Sequence, residues 1–217
     1  MLTSTARLAV AALIAVTAAG AHAGQQAPPA PPIIQPGAPG QPSRVITAAK
    51  AADTSAGRFT EADVRFMQGM IGHHAQALEM TALVPDRTTS PDLRKLALRI
   101  EISQADEISM MEEWLKARDQ PLPEPHAHHA HDAARMPGML SGAEMARLAA
   151  TRGLDFERLF LEFMIKHHDG ALVMVKELFA SPGAGQESDI YAFASDVEAD
   201  QFMEIRRMAA MLKELQK

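Results

Sequence analysis

The chain has 217 residues, 47% hydrophobic and 22% charged, a globular balance in a length that fits one modest domain. Its formal net charge of −6 disfavours nucleic acid as a partner, and the complete absence of cysteine excludes disulfide staples and thiolate metal sites. A core must therefore hold by packing, and any metal must be met by histidine, methionine or carboxylate.

Residues 1–23 read as a signal peptide. Arg7 precedes an uncharged run over residues 8–19, and Ala21-His22-Ala23 supplies the small-x-small pattern of a cleavage site. The run is shorter than the roughly 20 apolar residues a membrane span needs, so the expectation is a periplasmic or secreted chain beginning near Gly24, without membrane insertion. Cleavage removes Arg7 and no acidic residue, which makes the mature chain more negative by one charge.

Residues 24–58 read as a Pro/Gly-rich tether, with prolines at 28, 29, 31, 32, 36, 39 and 42 that deny it helix or ladder bonds. A first helical hairpin is predicted over 59–119. Thr60 with Asp63 resembles a capping box, and an apolar period of 3.6 runs on to Val84 before Pro85. Ser90 followed by Pro91 opens a second helix that continues to about Arg118. Residues 120–140 are a Pro/His-rich linker carrying His126, His128, His129 and His131. Residues 141–217 hold a short helix from Ser141 to about Gly153, a long one from Asp155 to about Ala180, and a last one from Glu187 to Lys217.

The second half repeats the first. Phe66, Met70, Ile71, His73, His74, Ala77, Leu78 and Met80 align with Phe160, Met164, Ile165, His167, His168, Ala171, Leu172 and Met174. Ala97, Glu101, Gln104, Glu107, Ile108, Met111 and Leu115 align in the same way with Ala194, Glu198, Gln201, Glu204, Ile205, Met208 and Leu212. Two hairpins that each bury one face close into an all-α four-helix bundle with approximate two-fold symmetry.

Both histidines of each pair fall on the apolar stripes of their helix, while Gln104 and Glu107 interrupt the apolar seam of the next one. With the turn near residue 87, Glu101 and Gln104 are level with His73, and Glu107 is about one turn away. Buried polar groups require partners, and two readings meet that need. One is a structural network in which imidazoles bond to Glu and Gln. The other is a metal site in which His73, His74, Met70 and Met80, with His167, His168, Met164 and Met174, are ligands. In that reading Glu101, Gln104, Glu107, Glu198, Gln201 and Glu204 orient the rings.

Met-x-x-His-His occurring twice, in a cysteine-free exported chain, suits copper as Cu(I) or Cu(II), because thioether with imidazole favours Cu(I). His126, His128, His129 and His131 form a separate candidate for Cu(II), Ni(II) or Zn(II). Both kinds of site are expected to lose affinity below the imidazole reference pKa of about 6.5. The expected function is binding and sequestration of copper, with silver as a second candidate, in metal tolerance and without turnover, in a monomer or homodimer that exchanges metal with an unidentified envelope protein. A di-iron oxidoreductase and a metal-free envelope interaction protein are the alternatives. Against the first, no helix carries the Glu-x-x-His of di-iron bundles.

Met-Ile-Lys-His-His-Asp-Gly-Ala-Leu-Val-Met, the Gln-x-x-Glu-Ile-x-x-Met segment and residues 136–145 between the repeats resemble the exported family named domain of unknown function 305. The resemblance covers residues 59–217. It implies a ferritin-like helical bundle, with periplasmic copper binding and resistance in some members, and carries those roles to His73, His74, Met70, Met80, His167, His168, Met164 and Met174. The repeats differ where Gly72 and Ala75 stand against Lys166 and Asp169.

Overall fold

The computed structural model describes residues 31–37, 41–52, 59–124 and 136–215, so the expected signal peptide lies outside the described residues. The chain separates into units Met1–Pro32 and Ile33–Lys217, and every element below belongs to the second. In chain order these are β1 (Ile33–Gln35), β2 (Arg44–Ile46), α1 (Ala48–Ala51), α2 (Glu61–Ala82), α3 (Val84–Arg87), α4 (Pro91–Lys116), α5 (Gly142–Ala150), α6 (Gly153–Ala180) and α7 (Ser188–Glu214).

The stretch whose composition reads as a tether contains a small antiparallel ladder, in which Ile33 faces Ile46 and Gln35 faces Arg44. The physical reason is local. Ile33, Ile34, Val45 and Ile46 are β-branched, and the prolines at 32, 36 and 42 lie outside the paired residues, where they remove no ladder bond.

Capping sets the helix starts. Thr60 N–H donates to Asp63 Oδ2 at 2.6 Å while Asp63 N–H returns to Thr60 Oγ1 at 3.2 Å, completing the predicted box at α2. The same buried Asp63 accepts from the Gly185 amide at 2.7 Å, tying the start of α2 to the turn between α6 and α7. Ser90 caps α4, and Ser141 with Glu144 forms a second capping box at α5. Helix α6 begins at Gly153, two residues before the expected Asp155. Helix α2 ends at Ala82 just before Pro85, as expected, and Pro85 itself stands in the first turn of the short α3, where its missing N–H costs nothing.

Helices α2 and α4 form one hairpin and α6 and α7 the other, with α2 and α6 in contact between them. The start of α2 packs on the end of α6, so the two run antiparallel. Phe66, Met67, Met70, Trp114, Met174, Leu178 and Phe193 form one core cluster, and Met80, Leu93, Ile100, Phe156, Phe160, Met164 and Met208 form a second. Burying these large side chains contributes about 1.5–3 kcal/mol each, which supplies the stability that disulfides would otherwise give. The end of α4 is fastened to the start of α7: Trp114 Nε1 donates to Glu187 at 2.9 Å, and Arg118 binds Glu187 and Asp189 while lying 4.3 Å over the Trp114 ring. The fold is all-α in its body. Among the described residues no helix is long and apolar enough to cross a membrane.

Candidate metal centre

Between the two core clusters lies a layer of four imidazoles. His73 and His74 come from α2, His167 and His168 from α6, and all four are fully buried. The equivalent residues His73 and His167 stack with ring centroids 3.8 Å apart and planes inclined by 35°. His74 and His168 lie outside this pair, with centroids 6.3 and 6.2 Å from His73 and His167 respectively.

The hydrogen bonds decide which nitrogen of the central rings carries the proton. His73 Nε2 donates to the Pro137 carbonyl at 3.1 Å, and His167 Nε2 donates to the His73 carbonyl at 3.0 Å. A carbonyl only accepts, so both rings are Nε2–H tautomers. On the outer rings Nε2 meets a carboxylate: His74 with Glu107 at 2.5 Å and His168 with Glu204 at 2.8 Å. Nδ1 of all four rings is buried and has no hydrogen-bond partner.

Burial, reinforced by the neighbouring His74, lowers the His73 pKa to about 3, against the raising effect of Pro137. Burial, with His73 and His168 beside it, likewise holds His167 well below its ordinary value. Both rings are therefore neutral near pH 7, with the Nδ1 lone pair uncommitted. The loss of affinity expected as pH falls through 6.5 is corrected for these two rings, because desolvation moves their protonation far lower.

A strap from the inter-repeat segment, residues 136–140, lies against this layer. Gln76 clasps it, donating to the Leu140 carbonyl at 2.9 Å and accepting from the Leu140 amide at 2.7 Å. Gly170 of α6 lets it approach: a Cβ there would come within 2.1 Å of the Pro137 oxygen. Gly138 has φ +76, and its own Cβ would strike the Lys166 and His167 carbonyls.

The structure regroups the expected ligands. Met70 and Met174 belong to one core cluster, Met80 and Met164 to the other, so each cluster takes one of the expected methionine ligands from each repeat. Glu107 and Glu204 hold the outer histidines. Gln104 and Gln201 are buried nearby in sequence, with both amide atoms of Gln104 and Oε1 of Gln201 unpartnered. Glu101 is exposed and Glu198 half-buried, and none of the histidine hydrogen bonds involves them. Of the loop candidates, His126, His128, His129 and His131 lie outside the described residues. Among the described residues no three His, Asp or Glu side chains stand ready around one point as metal ligands.

Two charged residues were not legible as part of this region. Arg99 reaches Glu204 at 3.6 Å, and burial together with Glu107 and Glu204 raises the Asp200 carboxyl pKa. The only available signal was a break in the repeat, since Arg99 aligns with Asp196 and Asp200 with Ser103.

Comparison with known proteins agrees with this architecture. A fragment of a DUF305 protein from Deinococcus radiodurans is 35% identical, with a TM-score of 0.63 over 72% of this chain and 98% of that one. A DUF305 protein from Streptomyces coelicolor, assigned as secreted, is 33% identical, with a TM-score of 0.61 over 71% of this chain and 94% of that one. CopM in its Cu(II)-bound and silver-bound forms is 25% identical, with a TM-score of 0.54 over 70% of this chain and 96% of that one. A shorter match joins the chain to the uncharacterized protein L153 of Acanthamoeba polyphaga mimivirus, 39% identical over 56 residues, spanning 37% of that protein. The family model named domain of unknown function (DUF305) matches residues 63–212, and the chain belongs to that family.

Proposed function

We propose that this chain is an exported copper- or silver-binding protein that sequesters the ion without catalytic turnover, using the imidazole layer and its flanking methionines. The carrying observation is the state of the central rings. His73 and His167 are neutral, each has its Nε2–H committed to a carbonyl, and each keeps a buried Nδ1 lone pair with no partner. This is the arrangement in which a histidine is oriented from one nitrogen and ligates through the other. An unmet buried acceptor is costly, so an ion that takes up the lone pair is favoured there.

The donor set supports a soft or borderline ion. Imidazole and thioether suit copper and silver. The copper-bound and silver-bound states of CopM support the same choice.

The test is metal titration of the mature chain followed by native mass spectrometry and elemental analysis, comparing wild type with His73→Asn/His167→Asn and with deletion of residues 124–133. Asn retains an N–H donor but offers no imidazole nitrogen. We expect the double variant to lose bundle-bound Cu(I) and Ag(I), and the deletion to lose only weaker Cu(II), Ni(II) or Zn(II). A folded double variant with wild-type stoichiometry, or a deletion that abolishes all copper binding, would overturn the reading.

A further inference from the structure

The strap brings to α2 a methionine that the repeat does not anticipate. A Cβ placed on Gly69 would lie 3.4 Å from Met174 Cε and 3.7 Å from Met136 Sδ, so the methyl end of a methionine from α6 and the sulfur of one from the strap lie together over Gly69. Gly69 stands one helical turn before His73 on the same face of α2. Pro137, the residue after Met136, accepts the His73 proton. Met136 is only half-buried while Met174 is 9% exposed, so the pair is reachable from solvent on one side and closed on the other. A methionine serving only as core filler gains by full burial, which Met136 does not have.

The repeat breaks at this place. Phe163 aligns with Gly69, and its buried ring, with Arg147 6.0 Å above, occupies the equivalent position in the second half. Met80, which aligns with Met174, is fully buried. Among the described residues the strap supplies its methionine at Gly69 and not at Phe163.

We propose that Met136 and Met174 form a two-thioether docking site for a soft monovalent cation, Cu(I) or Ag(I), at the solvent side of the His73 position. This rests on the soft-metal reading above and specifies where the ion is first met. Thioethers are neutral and polarisable and do not titrate, so the site discriminates against hard divalent cations without needing a charged ligand. Two sulfurs suit the low coordination numbers of these ions, and Gly69 keeps clear the space that a side chain would fill.

Silver ion is the probe, because it mimics Cu(I) without redox chemistry. Mature protein carrying 13C-methyl methionine is titrated with Ag(I) and followed by NMR, with affinity and stoichiometry from calorimetry. We expect the Met136 and Met174 methyl signals to move first. Met136→Leu, Met174→Leu and Gly69→Leu should each remove one Ag(I) equivalent or weaken it at least tenfold, whereas Met203→Leu, which removes an exposed thioether on α7, should not. Gly69→Leu fills the space while retaining both sulfurs, and circular dichroism checks that each variant folds. If wild type binds Ag(I) but the two methyls stay fixed, or Met136→Leu titrates as wild type, this site is wrong and the metal reading stands. If wild type binds neither Ag(I) nor Cu(I), both fall.

Discussion

The imidazoles of His73 and His167 stack at 3.8 Å although the residues are 94 positions apart, and the ring of one donates to the main-chain carbonyl of the other. The two copies of the motif thus meet each other at the centre of the bundle, rather than each building a site inside its own hairpin. The inward-facing rings are neutral because neither water nor a carboxylate reaches them, and the outer two take the carboxylates instead.

Acid should destabilise the metal-free protein through this pair. The folded-state pKa of His73, about 3, lies below the unfolded reference of about 6.5, so between those values the unfolded chain binds the additional proton. Stability from this group is present above pH 6.5 and declines as pH falls toward 3, with a slope of at most about 1.4 kcal/mol per pH unit. Urea unfolding from pH 7.5 to 4 should show the gap between wild type and His73→Asn narrowing with acid. A gap independent of pH would contradict the burial argument.

Removal of Glu204 should cost more than removal of Glu107. Both histidines are fully buried, but Glu204 is 4% exposed in its side chain against 14% for Glu107, so at Glu204→Ala water is less able to replace the lost acceptor of the His168 N–H. We expect Glu204→Ala to lose about 2–3 kcal/mol and Glu204→Gln, which keeps an acceptor oxygen, about 1 kcal/mol. Denaturant midpoints in metal-free buffer give the comparison. Equal losses for alanine and glutamine would show that packing, not the hydrogen bond, decides.

Gly170→Ala should destabilise the protein even though alanine is the better helix former by about 1 kcal/mol. The added Cβ would sit 2.1 Å from the Pro137 oxygen and 2.6 Å from Gly138 Cα, main-chain atoms that cannot swing aside as a side-chain tip can. The strap must lift, so we expect a net loss of about 1–3 kcal/mol and faster proteolysis near residues 136–140. A stabilised Gly170→Ala variant would mean the strap is not seated on α6.

The helices and several of their starts were legible because their causes are local. The Thr60–Asp63 and Ser141–Glu144 boxes, the Ser90-Pro91 start and the apolar period over α2 and α6 each act within a few residues, and each is found where the spacing puts it. Ile33 to Ile46 was hidden by its prolines, since a three-residue ladder leaves little periodic signal. The four histidines could be placed on inward faces from α-helical geometry alone. Depth along the hairpin puts Glu101 and Gln104 level with His73, but level does not set azimuth, and Glu101 faces solvent while Glu107 reaches back to His74.

What one chain position implies about another within a turn or two of helix was determined by the sequence: the repeat, the caps, the buried faces and the ligand types. Which parts of the two repeats meet was decided only by the antiparallel packing of α2 on α6, which stacks His73 on His167 and places Met70 in one cluster with Met174 and Met80 in the other with Met164. The seating of the strap on Gly170, and with it the arrival of Met136 above Gly69, was settled in the same way. These contacts join residues many turns apart in sequence, and their energy depends on the complementary shape of two assembled hairpins, which neither hairpin carries in its own pattern.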